Sequence, residues 1–182
     1  MKNKMTLAAL AVALGWMAML GSARAQTAAP KPGPEMEKLK ILLGHWTYTD
    51  TYGKSSFYPD GGVGTGVYDA RLGPGGFSLI LDFSEHSPTG EEIGHGILAW
   101  DPKENAYREY FAGNTFPGVY MTSGHWEGEK LVLSGEFEMG GAKMSFRDVY
   151  SDITAHSLTI QEFFQMPGKP VELMGTTKAT KP

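Results

Sequence analysis

The chain has 182 residues, with 20 Asp and Glu against 16 Lys and Arg, a formal net charge of −4 and no cysteine. Disulfides, thiol chemistry and cysteine zinc sites are therefore excluded. The acidic balance offers no basic footprint for displacing counterions, so a nucleic-acid partner is not expected.

The chain opens with Lys2 and Lys4, then the uncharged run TLAALAVALGWMAML, then GSARAQ. Ala23 and Ala25 have the small-residue spacing of a signal-peptidase site. Residues 1–25 are expected to be a signal peptide, because the apolar run is short for the roughly twenty residues of a spanning helix. Cleavage after Ala25 would leave a protein starting at Gln26, exported to the periplasm or secreted, with no membrane span. The remaining 157 residues suffice for one domain and hold 13 basic and 20 acidic residues, a net charge of −7. Residues 26–34, QTAAPKPGP, read as a disordered, polyproline-like leader, with the folded domain at 35–182.

PEMEKLKILLG carries the start and stop signals of one short helix. Pro34 suits the first turn, Glu35 and Glu37 come early, Lys38 and Lys40 come late, and Gly44 ends it. Met36, Leu39 and Leu43 are expected on its buried face.

After Gly44 the pattern has period two and is cut by turn residues at YPDGG, GPGG, SPTG, DPKEN, NTFPG, EGE, MGG, SDITA and MPGKP. No second helical pattern long enough for a crossover appears, so the fold class is all-β. A turn at Gly140-Gly141 pairs Glu138 with Lys143 on one face. It pairs Phe137 with Met144, Gly135 with Phe146 and Leu131 with Tyr150 on the other. Around SPTG, Ser87 pairs with Gly90, Leu79 with Leu98 and Phe77 with Trp100. Around MPGKP, Met166 pairs with Val171, Phe164 with Leu173 and Leu158 with Ala179. Sequential hairpins with one apolar face predict a single antiparallel up-and-down barrel of about ten strands, whose closure removes exposed edges. Gly64, Gly66, Gly94 and Gly96 lie inside strand patterns and suit the bends of a small barrel.

A short helix running into Gly-x-Trp at the first strand resembles the calycin superfamily of lipocalins and fatty-acid-binding proteins. LLGHWTYTDTY, GILAWDPKENAYREYF, GHWEGEKLVLSGEF, RDVYSDITAHSLTIQEFF and the close before ELMGTTKATK resemble, more narrowly, an exported bacterial family known as domain of unknown function 1579. That resemblance spans about residue 35 to the C-terminus. It implies a calycin-like barrel and brings no established activity. The haem-binding nitrobindin group also opens Leu-Leu-Gly-x-Trp, but no equivalent of its haem-ligating histidine stands near the C-terminus here. No cofactor is expected. Trp46 is expected to plug one end of the barrel beneath the helix.

None of His45, His86, His95, His125 and His156 forms a close metal-ligating pair, so no metal is expected. His95 falls opposite Asp82 as an exposed cross-strand pair, and His125 faces solvent. No nucleophile elbow surrounds any serine. Arg108 and Arg147 fall on outward faces, with Arg147 opposite Ser134, and Arg71 ends its strand at the surface. A carboxylate clamp is therefore not expected.

The acids are less ordinary. Asp148 shares the apolar face of Met144, Phe146 and Tyr150. Glu162 falls with Leu158, Ile160 and Phe164, opposite Gly175. Asp50 falls with Trp46, Tyr48 and Tyr52, and Glu109 with Tyr107 and Phe111. Carboxylates on a core face are costly unless paired, hydrogen-bonded or wet. A hydrated lumen lined by Tyr48, Asp50, Glu109, Asp148, Tyr150 and Glu162 is expected. Amines or polyols would suit it better than fatty acids. The leading expectation is an exported, non-enzymatic barrel holding a small molecule. The alternatives are an enzyme using lumenal carboxylates as general acid and base, and a structural envelope-interaction module with a filled barrel.

Overall fold

A computed structural model describes residues 29–182, apart from Gly140 and the Met139 side chain. The expected signal peptide and the start of the leader lie outside the described residues. All the elements below fall within Lys31–Pro182.

Helix α1 (Pro34–Leu39) runs into a 3-10 turn, Lys40–Leu42. Pro34 occupies the first turn, where its missing N–H costs no hydrogen bond. Met36, Leu39 and Leu42 are buried, while Leu43 is only half-buried. Uniform α-helical spacing predicts Leu43 on this face. The tightening to three residues per turn brings Leu42 round instead.

Ten strands follow: β1 (Gly44–Tyr52), β2 (Gly62–Leu72), β3 (Ser78–Ser87), β4 (Gly90–Asp101), β5 (Ala106–Gly113), β6 (Tyr120–Glu127), β7 (Lys130–Met139), β8 (Ala142–Ser151), β9 (Ser157–Gln165) and β10 (Glu172–Thr180). Each pairs antiparallel with its neighbours in sequence, and β1 pairs with β10 to close the barrel. This is the expected up-and-down barrel.

The hairpin registers follow the residue patterns closely. Phe137 faces Met144, Glu138 faces Lys143, Ser134 faces Arg147 and Leu131 faces Tyr150. Leu79 faces Leu98, and Asp82 faces His95. Leu158 faces Ala179 and Glu162 faces Gly175, but Phe164 pairs with Glu172 rather than with Leu173. The cause is a bulge that leaves Met174 between the Leu173 and Gly175 pairs and slips the open end of the ladder by one residue. Phe77 is not opposite Trp100. A 3-10 turn at Pro74–Gly76 holds Phe77 outside β3, with 43% of its surface exposed.

One end of the barrel is shut. Met36, Leu39 and Leu42 pack onto Trp46, Leu79, Leu98, Leu131, Leu133 and Leu158. Trp46 is fully buried, donates its indole N–H to the Leu42 carbonyl at 2.9 Å and stacks on Tyr68 at 5.9 Å. The Lys181 ammonium lies over the Trp46 ring, 4.4 Å from its centre. Trp46 is thus the plug the sequence predicts.

Candidate functional site

Above the plug the barrel stays open inside. A cavity of about 260 Å³ lies between the walls, reached by inward residues of nearly every strand. Strict alternation delivers them. On β1 the buried or half-buried positions are Gly44, Trp46, Tyr48, Asp50 and Tyr52, with the intervening threonines exposed. Tyr48, Asp50, Glu109, Asp148, Tyr150 and Glu162, all six sequence-predicted candidates, line this one space. Glu85 on β3 and Glu92 on β4 join them, as do Tyr52, Tyr58, Tyr68 and Tyr120.

The strand glycines make room for these side chains. A Cβ on Gly66 would strike the Tyr48 ring and the Ser84 carbonyl. One on Gly94 would strike the rings of Phe83 and Phe111. Close approach of lumenal groups, more than bending, is what these positions require.

The residues set aside from the sequence stand outside. Arg71 and His95 both contact Asp82 on the outer surface. Arg108 pairs with Asp101 at 3.3 Å, Arg147 lies over the Phe163 ring at 6.0 Å, and His125 is exposed. Among the described residues, no lysine, arginine or histidine lines the lumen. No three His, Asp or Glu side chains among them are arranged to hold a metal ion.

The acids inside are supplied with hydroxyl donors instead of cations. Tyr52 donates to Glu85 at 2.6 Å and Tyr48 reaches Glu85 at 3.4 Å. Tyr58 donates to Glu92 at 3.3 Å, and Thr122 to Glu109 at 3.3 Å. Asp50, only 4% exposed, has a buried Oδ1 with no hydrogen-bond partner. Its nearest phenol, Tyr52, lies 3.5 Å from Oδ2 and is committed to Glu85.

Burial therefore governs protonation. It pushes Glu109 up to about 7, against the Thr122 hydrogen bond. Glu85 is pushed up to about 7 by burial and by the neighbouring Asp50 charge. Asp148 is raised by burial and by Glu109, and Glu162 is raised well above the carboxylate range by burial and then by Asp148. Asp50 is raised by burial as well. The phenols of Tyr48, Tyr52 and Tyr150 are raised by the same desolvation and by these acids, so they stay neutral donors. Outside, Asp82 is lowered by its hydrogen bonds to His95 and Arg71.

Glu85 and Glu92 are the lining acids the sequence reading misses. On β3 the alternation Leu79, Leu81, Phe83, Glu85 marks them as one face. That signal is masked by Ile80 on the other face, and on β4 by Ile93 and Ile97, which are about half exposed at 51% and 48%.

Fold and lumen together define a calycin-type barrel with an acidic, tyrosine-lined interior. The chain belongs to the family described as protein of unknown function (DUF1579), whose model matches residues 31–180. No curated protein matches it. Among solved structures it is similar to Rv2717c from M. tuberculosis, at 11% identity and a TM-score of 0.59 over 84% of this chain and 99% of that one. It is also similar to the S-type phycobiliprotein lyase CPES from Guillardia theta, at 10% identity and a TM-score of 0.50, covering 80% and 91%. At these identities the likeness is one of fold.

Proposed function

We propose that this protein is an exported holder of a small molecule, taken up in the lumen and contacted by Tyr48, Asp50, Glu109, Asp148, Tyr150 and Glu162. The observation that carries the reading is an unfilled cavity of about 260 Å³ walled by buried carboxyl groups, one with an unpartnered oxygen. A barrel packed for structure alone would fill such a space with side chains. The volume is close to the lower end, about 300 Å³, of ordinary small-molecule sites. Export is supported by the basic, apolar and small-residue succession that ends at Ala25. Among the described residues no helix is long and apolar enough to cross a membrane.

A holder is favoured over a catalyst. General acid–base work needs two groups whose surroundings push their proton affinities apart. Here burial raises Asp50, Glu85, Glu109, Asp148 and Glu162 in the same direction, and no lumenal cation holds one of them ionised. The hydrogen bond between Asp50 and Glu85 lowers the first and raises the second, but burial outweighs it at Asp50.

Native mass spectrometry of the protein purified from its own host's envelope tests this reading. The expected spectrum is a chain beginning at Gln26 with one small molecule retained. A bare chain in every preparation, from a protein that also takes up no added small molecule, would overturn it.

A further inference from the structure

We infer that the lumenal ligand is a small organic cation with an apolar body, its ammonium seated against Asp50 and its body against Phe83 and Phe111. The inference rests on the lumenal-holder reading above and narrows it to one ligand class.

Asp50 carries the polar half. Its Oδ1 is enclosed without a partner, and the groups around it are acids or hydroxyls: Tyr48 and Tyr52 from β1, Glu85 from β3, Glu92 from β4, Glu162 from β9 and Thr177, its register partner on β10. Both β1 phenols direct their hydroxyls at Glu85. The remaining lumenal acids, Glu109 and Asp148, add negative charge from β5 and β8. No lumenal side chain carries a positive charge to set against an ionised Asp50, so a ligand that brings one relieves the cost of ionising it. An anion would compound the cost. A polyol would supply donors but no charge.

Phe83 and Phe111 carry the apolar half. Their rings stack at 5.3 Å over Gly94, and Phe116 extends the wall, 6.4 Å from Phe111. A fully hydrated ligand such as a polyol would leave that surface unused. The cavity's 260 Å³ limits the occupant to about nine non-hydrogen atoms at a liquid-like volume of about 30 Å³ each. An ammonium that enters beside a protonated carboxyl forms the ion pair and expels that carboxyl's proton to solvent. Uptake of the cation and loss of a proton are then one event.

Isothermal titration calorimetry of the full chain tests this with 2-phenylethylamine, its neutral analogue 2-phenylethanol, phenylacetate and sorbitol. Two buffers of different ionisation heat count the protons released. The amine is expected to bind about tenfold or more tightly than the alcohol, since a charge-assisted contact is lost in the latter. Phenylacetate should bind most weakly, and the amine should bind better near pH 8 than near pH 6, releasing protons. Asp50→Asn should remove about tenfold of the amine's affinity and reduce that of the alcohol less, while urea unfolding shows that the variant is folded. Equal or stronger binding of the alcohol, phenylacetate or sorbitol overturns the cation and leaves the lumenal holder standing. So does amine binding that is indifferent to Asp50→Asn. Failure of all four probes, with no adduct retained from the host, overturns both readings.

Discussion

Asp148 on β8 and Glu162 on β9 stand directly opposite each other across the ladder, and both turn into the lumen. Like charges in facing positions repel, and here neither has a basic neighbour inside the barrel. The energetic tension of the empty protein is concentrated at this pair.

Stability of the empty protein should therefore fall as pH rises. Carboxyls whose folded-state proton affinity is raised bind more protons folded than unfolded, so stability is full below the ordinary carboxylate range. It declines as pH passes up towards the folded values, about 7 for Glu85 and Glu109 and raised likewise for Asp148 and Glu162. Asp82 on the outer surface, lowered by His95 and Arg71, has the opposite sign but completes its effect at lower pH. Urea unfolding should give a higher midpoint near pH 5 than near pH 8. A flat or rising profile would place these acids outside.

Glu162→Gln should stabilise the barrel by about 1–2 kcal/mol near pH 8, because the amide is neutral without having to hold a proton and keeps the shape. Near pH 5, where the native residue already carries a proton, the gain should shrink. Destabilisation at both pH values would mean that Glu162 has an unrecognised cationic partner.

Much of this site is legible before any coordinates. The MGG register needs only opposite charges at Glu138 and Lys143 on one face and large apolar groups on the other. Once it is set, Asp148 follows into the lumen by alternation. Glu162 follows from the Leu158–Ala179 register, which lies on the near side of the bulge at Met174. The Phe164 pairing lies beyond that bulge and is lost, because one extra residue carries no compositional mark. Glu92 is hidden for a different reason. Its inward neighbours are Gly94 and Gly96, so β4 presents its isoleucines outward and inverts the usual signal. Leu42 displaces Leu43 because a switch from α to 3-10 geometry is invisible to a fixed helical period.

Gly124 tests wall packing separately from the lumen. It faces Tyr107 on β5 and Leu133 on β7, and a Cβ there would collide with the carbonyl of Val132. Backbone cannot step aside as a side-chain end can. Gly124→Ala should cost about 2–3 kcal/mol in thermal or urea unfolding. Gly64→Ala, obstructed chiefly by the far end of the Glu85 side chain rather than by backbone, should cost less. Equal costs would contradict the ladder between β6 and β7.

Trp46→Phe should destabilise the closed end by about 1–3 kcal/mol, through lost packing and the lost indole hydrogen bond. The Leu42 carbonyl keeps Tyr68 as a donor at 3.2 Å, which limits the loss. Because Trp46 plugs rather than lines the cavity, lumenal binding measured by calorimetry should be unchanged. A selective loss of binding with intact stability would give Trp46 a ligand contact instead.

The most direct measurement is a carboxyl carbon-13 NMR titration of the full chain, with Glu109, Asp148 and Glu162 assigned. If these acids enclose a lumen, they titrate well above the ordinary carboxylate range, Glu109 at about 7, and all three move lower when 2-phenylethylamine is added. Ordinary carboxylate titration for the three, unmoved by the amine, would contradict the acidic lumen on which the proposed function stands.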